Sequence, residues 1–367
     1  MAVHEAESVV ASYLYGIRES THKATFDVPG VDGAGPVHTV AFNGLECVVS
    51  HYRGEDFRTM GREKLVRSLL AHQKVVECAM GERDVLPVKF GTVLNDPEEV
   101  LELLSQNHRA LTDAMNGIRD KVEIEVAATW DIRRVLTEVG QQEEVARARQ
   151  ALLHLGQATT EQRVQLGQMV KAGMDRKRDS YRDRMAGLLS PLAMDMARNA
   201  LLSDEMVMNV AFLVERGRVG QLCAGVERLD QLFQNEVSFR IIGPLPPYSF
   251  STVGVTRLTT EQVEDACQAL RLSRETCEAE VKNVYRRLSA GMHRQLLSGD
   301  RLATEQFTRL RQAAQVLLGC CRARGGEGAT ASLGRSIESL FLIAIGGLGG
   351  EDIEPSRFGV LDEAQAV

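Results

Sequence analysis

Val122-Glu123-Ile124-Glu125-Val126-Ala127-Ala128 alternates apolar side chains with polar or small ones, the period-two signature of a strand with one dry and one wet face. Trp130 closes it as a core plug. The partners this strand takes decide the fold. Just upstream, Asp96 stands at a capping position, Pro97 at a first helical position and Glu99 at capping-box spacing. The helix they open carries Val100, Leu104, Leu111, Met115 and Ile118 as one stripe. Further back, 85–93 reads as a strand, and 62–80 as a helix with Leu65, Leu69, Val76 and Met80 on one side. Residues 37–52 read as a hairpin, because Asn43-Gly44 supplies the positive φ angles of a type I′ turn. Before it come a Gly/Pro/Asp-rich loop at 27–36 and the strand Tyr13-Leu14-Tyr15-Gly16-Ile17. Strands flanking two helices on one side predict an α+β fold with a ferredoxin-like N-terminal domain over 1–130, closed by 122–128.

Downstream, 131–200 turns charged and helical, with Arg176-Lys177-Arg178-Asp179 and Arg182-Asp183-Arg184 mixing signs. It reads as a long solvated helical pair. A second α/β module follows: a strand at 205–214, a helix with Val219, Leu222, Cys223, Val226, Leu229 and Phe233 inward, and a strand at 237–242. That strand runs into Gly243-Pro244-Leu245-Pro246-Pro247-Tyr248-Ser249-Phe250, where three prolines should end the ladder. The expected division is therefore 131–253 for the helical pair with the second α/β domain, 254–324 for a helical segment, and 325–367 for a Gly-rich tail. Within the tail, 337–345 is apolar enough to dock.

With 367 residues, 44% hydrophobic and 25% charged, the chain has the composition of a soluble globular protein and can build two or three cores. Lys and Arg number 43 against 50 Asp and Glu, a net charge of −7, so no field draws in nucleic acid or an anionic lipid membrane. Neither is an expected partner. Seven cysteines without a CxxC spacing fit a reducing cytoplasm. The N-terminus lacks the basic start and apolar core of a signal peptide. The longest uncharged apolar run, 339–350, is shorter than the ~20 residues a spanning helix needs.

Chemistry-bearing motifs do not emerge. There is no GxGxxG after a strand, no GxxxxGK[ST], no GxSxG and no HExxH. His51, His72, His108, His154 and His293 stand without a partner at ligand spacing. Cys320-Cys321 lacks the spacing of a redox pair, and the acids among Arg176–Arg184 argue for a solvated face over a phosphate site. No enzyme, cofactor or metal centre is expected.

Three segments together resemble the gas vesicle protein F/L family: Tyr13 to Ile17, Val85-Leu86-Pro87-Val88-Lys89-Phe90-Gly91-Thr92-Val93, and Phe239 to Phe250. The resemblance implies the ferredoxin-like N-terminal domain, the second α/β domain, no catalysis, and binding to the small hydrophobic shell protein of gas vesicles. A second resemblance covers 266–318 alone. Leu270-Arg271-Leu272-Ser273, Glu280 to Leu288 and Phe307 to Leu317 look like a J domain, with Val281, Tyr285, Leu288 and Met292 on one stripe and Phe307, Leu310, Ala314 and Leu317 on another. Lys282, Arg286 and Arg287 fall outside. Working J domains carry His-Pro-Asp between these helices, and here the place reads His293-Arg294-Gln295. Stimulation of Hsp70 is therefore not expected.

Read together, the sequence predicts a cytoplasmic, gas-vesicle-associated accessory protein that covers the shell subunit and contacts other accessory proteins. Its expected protein-binding residues are Tyr248, Phe250, Lys282, Arg286, Arg287 and His293. The alternatives are a minor structural component of the shell and a J-type co-chaperone.

Overall fold

The computed structural model describes residues 10–20, 25–33, 35–81, 83–154, 159–297, 300–323, 331–332 and 340–347, with backbone alone at 293–297, 322–323 and 331–332. By contacts the chain forms two compact units, Met1–Arg119 with Ser251–Gly346, and a second built from Asp120–Phe250.

The first unit opens with β1 (Ala11–Glu19), β2 (Thr25–Pro29), β3 (Pro36–Phe42), β4 (Leu45–Tyr52), α1 (Arg62–Met80), β5 (Leu86–Pro87), β6 (Val93–Leu94), α2 (Pro97–Gln106) and α3 (His108–Ile118). The sheet is antiparallel in the order β2-β3-β4-β1-β5, with β6 beside β1. Asn43 and Gly44 turn the β3–β4 hairpin with φ of 45° and 86°, as their sequence requires. The 27–36 loop is shorter than expected, because β2 runs to Pro29, which faces Pro36. Of the 85–93 strand only two short pieces pair; between them the chain turns at Gly91, φ 81°. Asp96 caps α2 by accepting from Glu99 N at 2.8 Å, while the Glu99 carboxylate reaches back to Asn95 rather than to Asp96.

The second unit contains β7 (Lys121–Trp130), α4 (Ile132–Gly140), α5 (Glu143–His154), α6 (Thr160–Leu189), β8 (Asp195–Arg198), β9 (Met206–Glu215), α7 (Val219–Phe233) and β10 (Val237–Leu245). Its antiparallel sheet runs β10-β7-β9-β8. The deciding strand, 122–128, therefore does not close the N-terminal sheet; it lies inside this second one. Its apolar face explains the choice: Val122, Ile124, Val126 and Ala128 lie opposite Val214, Phe212, Val210 and Met208 and share a core with α6 and α7. The sheet that 122–128 was expected to close over 1–130 is built without it. Nor is α6 solvated all round, since Met174, Arg178, Tyr181, Met185 and Leu189 are buried. Trp130 is the core plug expected of it. The ladder also survives the first proline: a register shift between Ile242 and Leu245, around the cis Gly243–Pro244 bond, lets Leu245 pair with Glu123.

The first unit then resumes with β11 (Thr252–Leu258), α8 (Thr260–Leu270), β12 (Glu275–Thr276), α9 (Glu278–Leu297), α10 (Arg301–Ala323), β13 (Ala331–Ser332) and β14 (Leu340–Gly346). β11 and β14 form an antiparallel ribbon with two apolar faces. Val253, Val255, Phe341, Ile343 and Ile345 join the core of α2, α3 and β5, while Leu258, Leu340 and Leu342 join that of α8–α10. The apolar part of the tail thus docks from Leu340 onward, as its composition demanded. Residues 337–339 and the rest of 325–367 beyond the ranges given lie outside the described residues.

Candidate functional site

The three sequence segments singled out above are joints. In the first unit Tyr13 and Tyr15 are fully buried. Leu14 N donates to Thr92 O at 3.0 Å, Val88 N to Tyr15 O at 2.9 Å, and Gly91 N to the Tyr13 hydroxyl at 3.1 Å. Gly16 must lack a side chain, because a Cβ there would stand 2.6 Å from Val85 Cγ1 and 3.1 Å from Leu86 O. The Tyr13 hydroxyl also bonds His72 Nδ1 at 2.9 Å, and Tyr15 bonds Ser50 Oγ at 2.8 Å. Burial lowers the His72 pKa to about 3, against a backbone hydrogen bond with Val88 that favours the charged form. His72 is therefore a neutral structural imidazole, and Tyr15 is held above its ordinary value by the same burial.

In the second unit the third segment folds onto β7. Ser249 N donates to Glu123 Oε2 and Ser249 Oγ bonds Glu123 Oε1, each at 2.7 Å. Glu123 was expected on a wet face and is 1% exposed. Burial pushes its carboxyl up to about 8, against the pull of the two Ser249 bonds. Gly243, with φ 135°, lies where a Cβ would be 2.9 Å from Glu123 O, so glycine is required here too.

Two features of this unit are open to solvent. A groove of about 810 Å³ opens between α6 and residues 201–204, lined by Gly167, Val170, Met174, Leu201 and Leu202 together with Lys171, Asp175 and Arg178. Arg178 is committed: it pairs with Asp175 at 2.7 Å, donates to Met206 O and Asp204 O, and lies 5.2 Å over the Trp130 ring. It fixes the groove wall. The second feature is β10, whose Ser238, Arg240, Ile241, Gly243 and Pro244 are exposed. Among the described residues no group of three or more His, Cys, Asp or Glu is placed to hold a metal ion, and no helix is long and apolar enough to cross a membrane.

A family model described as gas vesicle synthesis protein GvpL/GvpF matches residues 11–252, which span both compact units. The chain belongs to the GvpL/GvpF family. It is 31% identical over 244 residues to gas vesicle protein F of Streptomyces sp. (strain CB03234), covering 66% of this chain and 99% of the relative. It is 26% identical over 242 residues to gas vesicle protein F of Dolichospermum flosaquae, covering 65% and 96%. The fold is that of the crystal structures of GvpF from Anabaena sp. PCC7120 (24% identity, TM-score 0.57, 65% of this chain and 97% of that one) and Microcystis aeruginosa (24%, 0.54, 65% and 98%). In this GvpL/GvpF family member, residues 253–367 lie beyond the family match.

The sequence-predicted contact residues divide between the units. Tyr248 and Phe250 are half-buried in the turn after β10, on either side of the Ser249 that grips Glu123. Lys282, half-buried on α9, pairs with Glu278 at 2.7 Å, while Arg286 and Arg287 are exposed on the same helix. His293 lies in α9 with its side chain outside the described residues. Sequence reasoning missed Glu123, whose alternation signals a wet face and whose burial depends on a turn more than a hundred residues away. It set His72 aside as a lone histidine.

Proposed function

We propose that this chain is an accessory factor of gas vesicle assembly that holds the hydrophobic shell protein before it polymerises. Membership in the GvpL/GvpF family carries the reading, since the match runs from β1 to the start of β11 and its relatives are gas vesicle proteins. A shell subunit with one water-excluding face aggregates unless that face is covered. At about 25 cal/mol per Å2, covering a few hundred Å2 contributes several kcal/mol, enough to hold the subunit and weak enough to release it. The groove beside α6 and the β10 margin are suited to this contact.

The J-like reading of 266–318 is supported by its packing. Val281, Ala314 and Leu317 are buried, and the rings of Tyr285 and Phe307 lie 6.5 Å apart. With Arg294 and Gln295 in place of Pro and Asp, it serves as a docking module for other accessory proteins through Lys282, Arg286, Arg287 and His293, not as an activator of Hsp70. Tyr248 and Phe250 contribute contacts from the second unit. The chain works in the cytoplasm at the nascent vesicle.

Co-expression of tagged full-length chain with the shell protein should retain the shell protein on purification, and no binding at tens of micromolar would overturn the reading. A urea wash of purified vesicles separates it from a structural role: an assembly factor is released, and a shell component stays.

A further inference from the structure

The β3–β4 hairpin brings together two histidines that the sequence leaves apart. β3 is an inner strand, with His38 opposite Thr25 of β2 on one side and opposite Val49 of β4 on the other. His51 stands two residues beyond Val49, so it shares a face with Val49 and lies diagonally across from His38. The two ring centroids are 5.6 Å apart and the planes are tilted by 35°. His38 Nδ1 lies 3.2 Å from Pro36 O, an atom that only accepts, so Nδ1 carries the proton and Nε2 of the neutral ring presents a bare lone pair. Metal-ligating histidines are held in this same way, the second nitrogen donating to a carbonyl. The His51 ring is flanked by the chain that leads into β3, where a Cβ on Gly35 would stand 3.4 Å from His51 Cδ2. Among the described residues nothing is hydrogen-bonded to its nitrogens. His38 is half-buried and His51 exposed, so the pair is open to solvent.

We infer that His38 and His51 together bind one divalent transition-metal ion of the zinc class, each through one ring nitrogen. Two imidazoles that ligate one ion at about 2.0–2.1 Å place their centroids about 4.5–6.4 Å apart as the angle at the metal opens from about 90° to linear, and the observed 5.6 Å falls inside that range. Neutral nitrogen donors select zinc, nickel or copper(II) over magnesium and calcium, which take oxygen. No third His, Cys, Asp or Glu joins the pair among the described residues, so water takes the remaining positions and the ion exchanges readily. Both rings are carried on paired strands. The second is therefore held near the ion once the first has bound it, and the pair outbinds either ring alone. The inference is independent of the proposed function, because it uses the hairpin alone.

The test uses the full chain, without a histidine affinity tag, titrated with zinc chloride in a calorimeter. His38→Gln and His51→Gln should each weaken the same one equivalent of bound zinc by ~10-fold or more, and the double variant should lose no further equivalent, as two ligands of one ion require. In EDTA both variants should keep the wild-type urea midpoint. A second measurement needs no variant and decides alone should one fail to fold: carbethoxylation of the wild type, mapped by mass spectrometry. Zinc should slow modification at His38 and His51 together, leave His154, exposed on α5, unchanged, and lose this effect when magnesium chloride replaces it. A zinc isotherm unaltered in both variants, two separate equivalents lost in the two variants, or protection of neither ring or of one alone overturns the paired site.

Discussion

Glu123 and His72 are both buried, and burial moves their proton affinities in opposite directions with opposite consequences for stability. The Glu123 carboxyl is raised from 4.5 to about 8, so the folded protein keeps a proton that the unfolded chain has released. Stability therefore falls as pH rises through that window, by about 1.4 kcal/mol per pH unit, and the full cost is reached above it. Glu123→Gln should remove this slope and raise stability at pH 8 by a few kcal/mol, since an amide can still accept from Ser249 N and donate to Ser249 Oγ; urea melts of both proteins at several pH values measure it. His72 is lowered from 6.5 to about 3, so the unfolded chain binds a proton that the folded one refuses. Stability is present above 6.5 and lost as pH falls below it, and His72→Gln should flatten that loss. Gly16→Ala should cost about 1–3 kcal/mol, because the added carbon meets Val85 and Leu86 in the joint between β1 and β5. The sequence makes Gly16 conspicuous only as part of a resemblance, and its reason lies seventy residues away in the chain. Asn43-Gly44 was legible without help, because the turn it makes depends on nothing beyond itself.

Among the elements, local signals were sufficient wherever the chain supplied its own partners. α1 has the bounds that its stripe predicts, and α2 starts where Asp96 and Pro97 say it must. β7 was legible as a strand and illegible as to its sheet, since an apolar face specifies that a partner exists and not which one. The ribbon of β11 and β14 shows the same limit. The stretch 337–345 announced an apolar segment, but only the register of Leu340–Gly346 with β11 reveals that alternate residues serve two cores. Phe341 is fully buried in the core of α2, α3 and β5, with its backbone N–H on Gln106 and its carbonyl on Asn107. Phe341→Ala should cost about 3–5 kcal/mol in a denaturant melt. Its neighbour Arg257, paired at 2.7 Å with a Glu99 carboxylate that is itself buried, offers a second probe. Arg257→Met leaves that carboxylate without its cation and should loosen β11 in hydrogen exchange, and exchange as slow as in the wild type would show that packing alone holds the ribbon.

At the scale of the molecule, the chain leaves its first compact unit after Arg119 and returns to it at Ser251, so the second unit is inserted between two parts of the first. His72 belongs to the first unit and Glu123 to the inserted one. Their pH terms should therefore act on different cooperative transitions. On acidification from 6.5 to 4.5, the first unit loses stability through His72 while the second gains it through Glu123. Between 6.5 and 8, His72 no longer contributes and the second unit alone declines. Calorimetry across this range should resolve two transitions, one moving down as pH falls from 6.5 to 4.5 and the other moving down as pH rises from 4.5 to 8. His72→Gln should abolish the acid shift of one transition and Glu123→Gln the basic shift of the other. A single transition that responds to both substitutions would mean that the inserted unit and its host unfold as one cooperative body.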